Sequence, residues 1–257
     1  MKFKLSSQSG STLIVVLFIL IIITIIGAVA AKSGLFGLKV ATNSQAMQIL
    51  TQNTDAAFIP VEDKKKLELY LRGTNLFGYP QMDSNRNKEL IFCYKGSEKD
   101  FFSLRRASFA YIDNSSKLQT DDLGVLGYCK YATGFFSSGR SATMTQISVR
   151  VGNSTVSNVA PFSGMPEGTD SESAKVDEPK NLIVTAISVM PVLSSAPEDK
   201  VNACMSRASY IDPSITGISE NDKITVSECL SNLAVPFTTQ ISEYSLGQFV
   251  QKSTGST

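Results

Sequence analysis

From Leu5 to Ala31 the chain runs 27 residues without a charge, and from Ser11 that run is almost wholly apolar. Its centre, Leu13 to Ile23, holds only Leu, Ile, Val and Phe. The 21 residues from Ser11 to Ala31 would extend about 31 Å as a helix, enough to cross the hydrocarbon core of a bilayer. Lys2 and Lys4 precede the run, and a polar leader ends at Gly10.

A basic and then apolar N-terminus fits three mechanisms. A secretory signal peptide would be cut after Ala28-Val29-Ala30, which spell an A-x-A site. An uncleaved anchor would keep the whole run. A prepilin leader would be cut on the other side of it, between Gly10 and Ser11. The next residues bear on the choice. Leu35, Leu38, Thr42, Ala46 and Ile49 recur at three- and four-residue steps, with Lys39, Asn43, Gln48 and Gln52 between them, and no proline intervenes before Pro60. The apolar and amphipathic stretches therefore predict one helix from about Ser11 to about Ala57, roughly 70 Å long. A disposable signal has no reason to continue in register, and a simple anchor has no need of the second half. A pilin needs both halves.

Gly10-Ser11-Thr12-Leu13-Ile14 resembles the Gly-x-Thr-Leu-Ile processing site of type IV pilins, followed by their long apolar helix. The resemblance covers about the first 58 residues. It implies cleavage after Gly10 by a cytoplasm-facing prepilin peptidase and N-methylation of Ser11. It also implies a leader over 1–10, a helix over 11–58 that spans the inner membrane at 11–31, and a periplasmic or extracellular head over 59–257. One departure is informative: where pilins usually carry glutamate five residues after the cut, this chain has Val15, and its first acidic residue is Asp55. In the family that carboxylate pairs with the terminal amine of a neighbouring subunit, offsetting the cost of a charge in lipid. A subunit without it cannot bond the subunit ahead, which suits the first subunit of a filament. Lack of the glutamate, with the tract from Thr12 to Leu20 and Thr24 and Gly27 beyond it, is similar to minor pilins of the PilX-like type. The partners implied are other minor pilins, the major pilin and a tip adhesin.

Composition narrows the chemistry. The net charge is +1, so no electrostatic argument favours nucleic acid. Lys64-Lys65-Lys66 lies among Glu62, Asp63 and Glu68 and reads as a solvated helix face, and Arg105-Arg106 is short. There is no histidine, hence no Ser-His or Cys-His pair and no His metal ligand. Ser138-Gly139-Arg140-Ser141 lacks the glycine frame of a nucleophile elbow. No motif places a Ser-Lys pair or paired carboxylates, so the reading is a non-enzyme without cofactor. Cys93, Cys129, Cys204 and Cys229 are separated by 36, 75 and 25 residues, wrong for a zinc ribbon. In an exported chain they suggest two disulfides. Of three connectivities we favour Cys93–Cys129 and Cys204–Cys229, because a loop-like stretch separates the pairs. Each would stabilise by about 3–4 kcal/mol in the chain-entropy account.

Beyond Pro60, residues Glu62 to Leu71 predict a short helix. Asp83 to Glu89 alternates acids and amides like the start of a calcium loop, but Lys88 stands where glycine is needed and Tyr94 where glutamate is, so a solvated turn is the better reading. Strand candidates are Leu90–Tyr94, Ala107–Ile112, Gly127–Ala132, Met144–Val151 and, as the expected centre of a sheet, Asn181–Met190. Residues 161–180 turn to Pro, Gly, Ser, Glu and Asp and predict a loop or insertion. Glu198–Ala208 has helical spacing, whereas Lys223–Cys229 and Ile241–Val250 fit strands or tail segments. The fold class expected is α+β, a long N-terminal helix packed on a mainly antiparallel sheet. The function expected is a minor pilin that initiates or caps pilus assembly. The alternatives are a GspK-like pseudopilin of a secretion filament and a membrane-anchored ligand-binding module that does not assemble.

Overall fold

The computed structural model describes residues 11–72, 75–96, 102–122, 127–133, 135, 142–152 and 181–245. The leader at 1–10, the segment Ser138–Ser141, the loop at 161–180 and the end of the tail segment beyond Ser245 lie outside the described residues. The chain forms two compact units, residues 1–46 and 47–257. Helix α1 (Ser11–Val61) supplies the described part of the first and opens the second.

Within the second unit α1 buries Leu50, Thr54, Ala57, Phe58 and Val61, a stripe at helical spacing. The sequence placed this stripe on Ile49, but Ile49 is 45 % exposed and Leu50 is buried in its stead. Adjacent apolar residues share one period, so spacing alone cannot choose between them. Thr54 joins the stripe because its hydroxyl donates to the Leu50 and Thr51 carbonyls, at 3.2 and 2.7 Å. α1 also continues past Ala57 through Pro60. The proline falls in the last turn, where the helix has one residue left to lose, and Glu62 still donates its N–H to the Phe58 carbonyl at 3.0 Å. The short helix expected over 62–71 is broken into a 3-10 turn at Lys64–Lys66 and one α turn at Leu67–Tyr70. Asp63 accepts the Lys65 N–H at 3.0 Å, and the Tyr70 hydroxyl donates to the Pro60 carbonyl at 2.9 Å, folding the chain back.

Six strands follow among the described residues: β1 (Glu89–Tyr94), β2 (Ala107–Ile112), β3 (Leu118–Asp122), β4 (Met144–Val151), β5 (Asn181–Val189) and β6 (Phe237–Ser245). They form one antiparallel sheet in the order β3-β2-β1-β4-β5-β6. The strongest strand pattern, β5, is paired on both sides but lies next to an edge; β1 and β4 hold the centre. The arrangement is α+β, as the patterning implied.

Register assigns the faces. Leu90 pairs with Val149 and Phe92 with Ile147, while Val149 and Ile147 pair with Val184 and Ala186. These side chains share a core with Ala57, Phe58 and Val61 of α1. The opposite face carries Cys93, Met144, Ile187 and Val189 against helices α2 (Glu198–Met205) and α3 (Val226–Asn232). With both faces covered, β1 reads as a nearly continuous apolar run after Glu89, whereas β4 interleaves its apolar residues with Gln146, Ser148 and Arg150.

The second face also holds the disulfides. Cys93 is bonded to Cys129 and Cys204 to Cys229, with Cα–Cα distances of 4.8 and 5.4 Å. Both bridges belong to one core cluster, and β4 and β5 pair across residues 152–180. The stretch that separates the cysteine pairs in sequence therefore does not divide the head into independent halves.

Two expected strands are something else. Residues 127–132 form an irregular turn: Gly127 lies so close to β2 that a Cβ there would overlap Ser108, and the Cys129 N–H is taken by the Gln146 side chain at 3.1 Å. The segment Lys223–Cys229, expected as a strand or a tail segment, instead runs through a turn into α3, which starts at Val226. Thr225 caps it by accepting the Glu228 N–H at 3.3 Å, and Thr225-x-x-Glu228 is a capping-box pattern.

Gln146 joins the two disulfide loops. Its carbonyl accepts from Cys129, and its amide donates to the Met205 carbonyl at 2.9 Å, beside Cys204. Both partners are buried. Gln146→Ala should cost about 2–5 kcal/mol, since it strands a buried donor and a buried acceptor. Chemical denaturation of the oxidised protein measures this, and a loss below about 0.5 kcal/mol, typical of a surface change, would deny Gln146 that role.

Candidate functional site

The candidate site in the first unit is a surface rather than a pocket. Ser11 is the first residue of α1, and Gly10 lies outside the described residues. From Leu13 to Val40 every described side chain is exposed, including Val15 at 53 %. The Thr24 and Thr42 hydroxyls donate to carbonyls of their own helix, Ile21 at 2.8 Å and Leu38 at 2.9 Å. Their polarity is thus satisfied inside the helix. α1 is the one helix among the described residues long and apolar enough to cross a membrane.

Magnitudes decide what this surface requires. Fourteen large apolar side chains between Leu13 and Val29 are exposed. At about 1.5 kcal/mol or more each for transfer out of water, they represent on the order of 20 kcal/mol. No described residue of the unit supplies that cover, which lipid or the helices of other chains would provide. A single long apolar N-terminal helix is consistent with membrane anchoring. Val15 leaves the stretch uncharged, where a glutamate would bring a cost of about 3 kcal/mol.

The head carries a second concentration of chemistry on the β1–β4 face opposite α1. Glu89, at the start of β1, is 4 % exposed. Its Oε2 accepts the Ser209 N–H at 2.9 Å, and the Ser148 hydroxyl donates to Ser209 Oγ at 2.9 Å. Its Oε1 has no hydrogen-bond partner among the described residues. One strand over, the Arg150 guanidinium lies 3.8 Å over the Tyr210 ring, and its Nε is likewise without a partner among the described residues. On the other side of the strands, the α1 side by register, Lys88 donates to Asn85 Oδ1 at 3.1 Å and stands 5.2 Å from the Phe109 ring and 5.5 Å from that of Tyr111. Asn85 is buried, so the polar segment from Asp83 serves as a packed turn at the rim of this face. Of these residues, Lys88, Glu89, Tyr111, Arg150 and Tyr210 line a cleft of about 140 Å³, together with Arg86, Asn87 and Asp212 among others.

Burial pushes the Glu89 carboxyl above its ordinary range, opposed by the bonds to Ser148 and Ser209 and by the Arg150 charge. Burial pulls Arg150 down, opposed chiefly by Glu89 and also by Tyr210, Asp212 and Glu243. Sequence reasoning met Glu89 only as the end of a calcium-loop pattern that it set aside, and it did not single out Ser148, Arg150, Ser209 or Tyr210. The available signal was polar residues at alternate positions in otherwise apolar strands, Gln146, Ser148 and Arg150 in β4. Comparison with protein-family models, curated proteins and solved structures found no match.

The raised Glu89 carboxyl fixes a sign. The folded state holds that proton more tightly than the unfolded chain, so stability from this group is greatest in acid. It falls as pH rises from the ordinary carboxyl range through the raised folded value. Glu89→Gln keeps an oxygen for the Ser209 N–H and removes the titration. Its stability relative to the parent should therefore improve between pH 4 and pH 7. Thermal melts at the two pH values test this, and an unchanged difference would show that folding does not raise the Glu89 carboxyl.

Proposed function

We propose that this chain is a minor type IV pilin of the PilX-like type, working near the filament tip to initiate or cap assembly. The observation that carries the reading is an uncharged, exposed apolar helix segment that begins at Ser11, directly after Gly10, and has Val15 in place of glutamate. The leader would be removed by a prepilin peptidase while the helix sits in the inner membrane. The same apolar surface would then pass from lipid to the helices of neighbouring subunits, exchanging one apolar environment for another at little net cost.

Val15 gives the subunit its direction. Without a carboxylate it makes no bond to an amine ahead, yet its own Ser11 amine can receive one from behind. That asymmetry fits the leading position. The head, held by its disulfides and two-sided core, would offer a rigid surface to other minor pilins or to an adhesin. The work is shape and contact rather than turnover.

Deletion of the gene should reduce the number of filaments more than their length, and immunogold labelling of the parent protein should fall at filament ends. Val15→Glu should lower initiation or move the protein into the shaft, because its carboxylate has no amine ahead and costs several kcal/mol if left charged in lipid. Even labelling along every filament would contradict the tip position, and unchanged filament number in the deletion would contradict a role in assembly.

A further inference from the structure

We infer that the free edge of β6 takes an extended segment of another polypeptide as an added strand, antiparallel to β6, with a basic side chain opposite Glu243 and an aliphatic one opposite Ile241. This goes beyond the assembly role and stands whether or not the head is part of a pilus. β6 ends the sheet, and its nine residues, Phe237–Ser245, pair with β5 without a bulge. Just before it, the Met190 N–H donates to the Pro236 carbonyl at 2.9 Å. In an antiparallel ladder, residues that bond a neighbouring strand alternate with residues that turn away from it. Thr238, Gln240, Ser242 and Tyr244 therefore address β5, while Thr239, Ile241 and Glu243 turn N–H and C=O outward. No backbone hydrogen bond among the described residues reaches them there.

Folded proteins blunt such an edge with charged side chains, proline, a bulge or a short strand. The opposite edge of this sheet is blunted: β3 is five residues long and ends in Asp121-Asp122. Of these devices β6 has only Glu243, near its end. In its middle stands Ile241, 65 % exposed. Register also describes the occupant. Ile241 pairs with Thr185 and Glu243 with Ile183, so both lie on the face opposite α1. Phe237 packs there with the core beneath α2 and α3, whereas Ile241 and Glu243 remain exposed. Directly opposed residues of an antiparallel pair have Cβ atoms about 5 Å apart and interact. Ile241 thus favours an aliphatic neighbour, and Glu243 favours lysine or arginine. The Glu243 carboxylate is held on this face by Asn181, whose Nδ2 donates to its Oε1 at 2.8 Å. A second β6 would be a poorer occupant, because the strand has no basic residue to offer Glu243. A main-chain ladder supplies affinity in this mode, and the alternate side chains supply specificity.

The test uses the full oxidised chain in detergent micelles at neutral pH, with amide hydrogen exchange from Thr238 to Tyr244 read by NMR. The probe is the end-blocked peptide Thr-Lys-Thr-Val-Thr-Ser-Thr, which sets lysine opposite Glu243, valine opposite Ile241 and serine opposite Thr239. In the free chain the amides of Thr239, Ile241 and Glu243 should exchange fast and those of Gln240 and Ser242 slowly. The peptide should slow the outward three saturably. Replacing its lysine by glutamate should weaken binding about fivefold, and Glu243→Lys in the protein should reverse that preference. Thr239→Pro removes an outward N–H and none that faces β5. Binding should fall about fivefold, the scale of one lost hydrogen bond, while Gln240 and Ser242 stay protected. Slow exchange at Ile241 in the free, dilute chain would mean that another part of the chain covers the edge. Slow exchange that appears only on concentration would mean that a second copy does; either result overturns the assignment. So would outward amides that the peptide leaves unchanged, equal affinity for the lysine and glutamate peptides, or binding unweakened by Thr239→Pro.

Discussion

An apolar helix surface that its own unit does not cover governs everything else about this chain. The side chains from Leu13 to Val29 carry no charge and no unsatisfied polar group, so nothing opposes their transfer from water. The transfer term, on the order of 20 kcal/mol, exceeds the net stability of an ordinary domain. As long as this segment stays on the chain, lipid or another apolar surface is where it is stable. An uncharged segment has no internal partner to enforce its axial position. Register must come from its ends, which is why the residue at position 15 and the chemistry at Ser11 matter so much to the proposed role.

The head solves a different problem. A sheet covered on both faces needs a way to distinguish them, and here hydrogen bonding does so. One face meets α1 through Leu90, Phe92, Ile147, Val149 and Val184. The other interleaves apolar residues with Gln146, Ser148 and Glu89, each bonded to the segment from 205 to 209 or to the Cys129 loop. Buried polar groups tolerate few alternative arrangements. They therefore set where the disulfide-bonded loops sit, while the apolar contacts supply most of the favourable free energy. Glu89 and Arg150 break the pattern, each burying one polar atom without a hydrogen-bond partner among the described residues.

Much of the architecture was legible because period is a strong signal when it persists. The helix of α1 and the strands β1, β2, β4 and β5 all announce themselves by spacing, with ends shifted by a residue or a few at most. Shorter signals were overlooked. Asp113-Asn114-Ser115-Ser116 between Ile112 and Leu118 marks the β2–β3 hairpin, where Asp113 Oδ1 accepts the N–H groups of Ser115 and Lys117 at 2.9 and 3.0 Å. The Thr225 cap of α3 is likewise four residues of local chemistry. Other features could not be read locally at all. The apolar residues from Gly127 to Ala132 resemble a strand, yet their backbone is claimed by a side chain of β4 and by a disulfide. The cleft is assembled from β1, β2, β4 and the 208–215 segment, residues far apart in sequence and brought together only by strand order.

The account turns on which side of the apolar run the chain is cut. The most direct measurement is the mass of the N-terminal peptide of the protein isolated from its cells. The account predicts a peptide that begins at Ser11 and carries one methyl group on its amine. A peptide beginning at Ala31 would mean that the apolar helix is discarded, and one beginning at Met1 would mean that it is a plain anchor; either result contradicts the assembly reading.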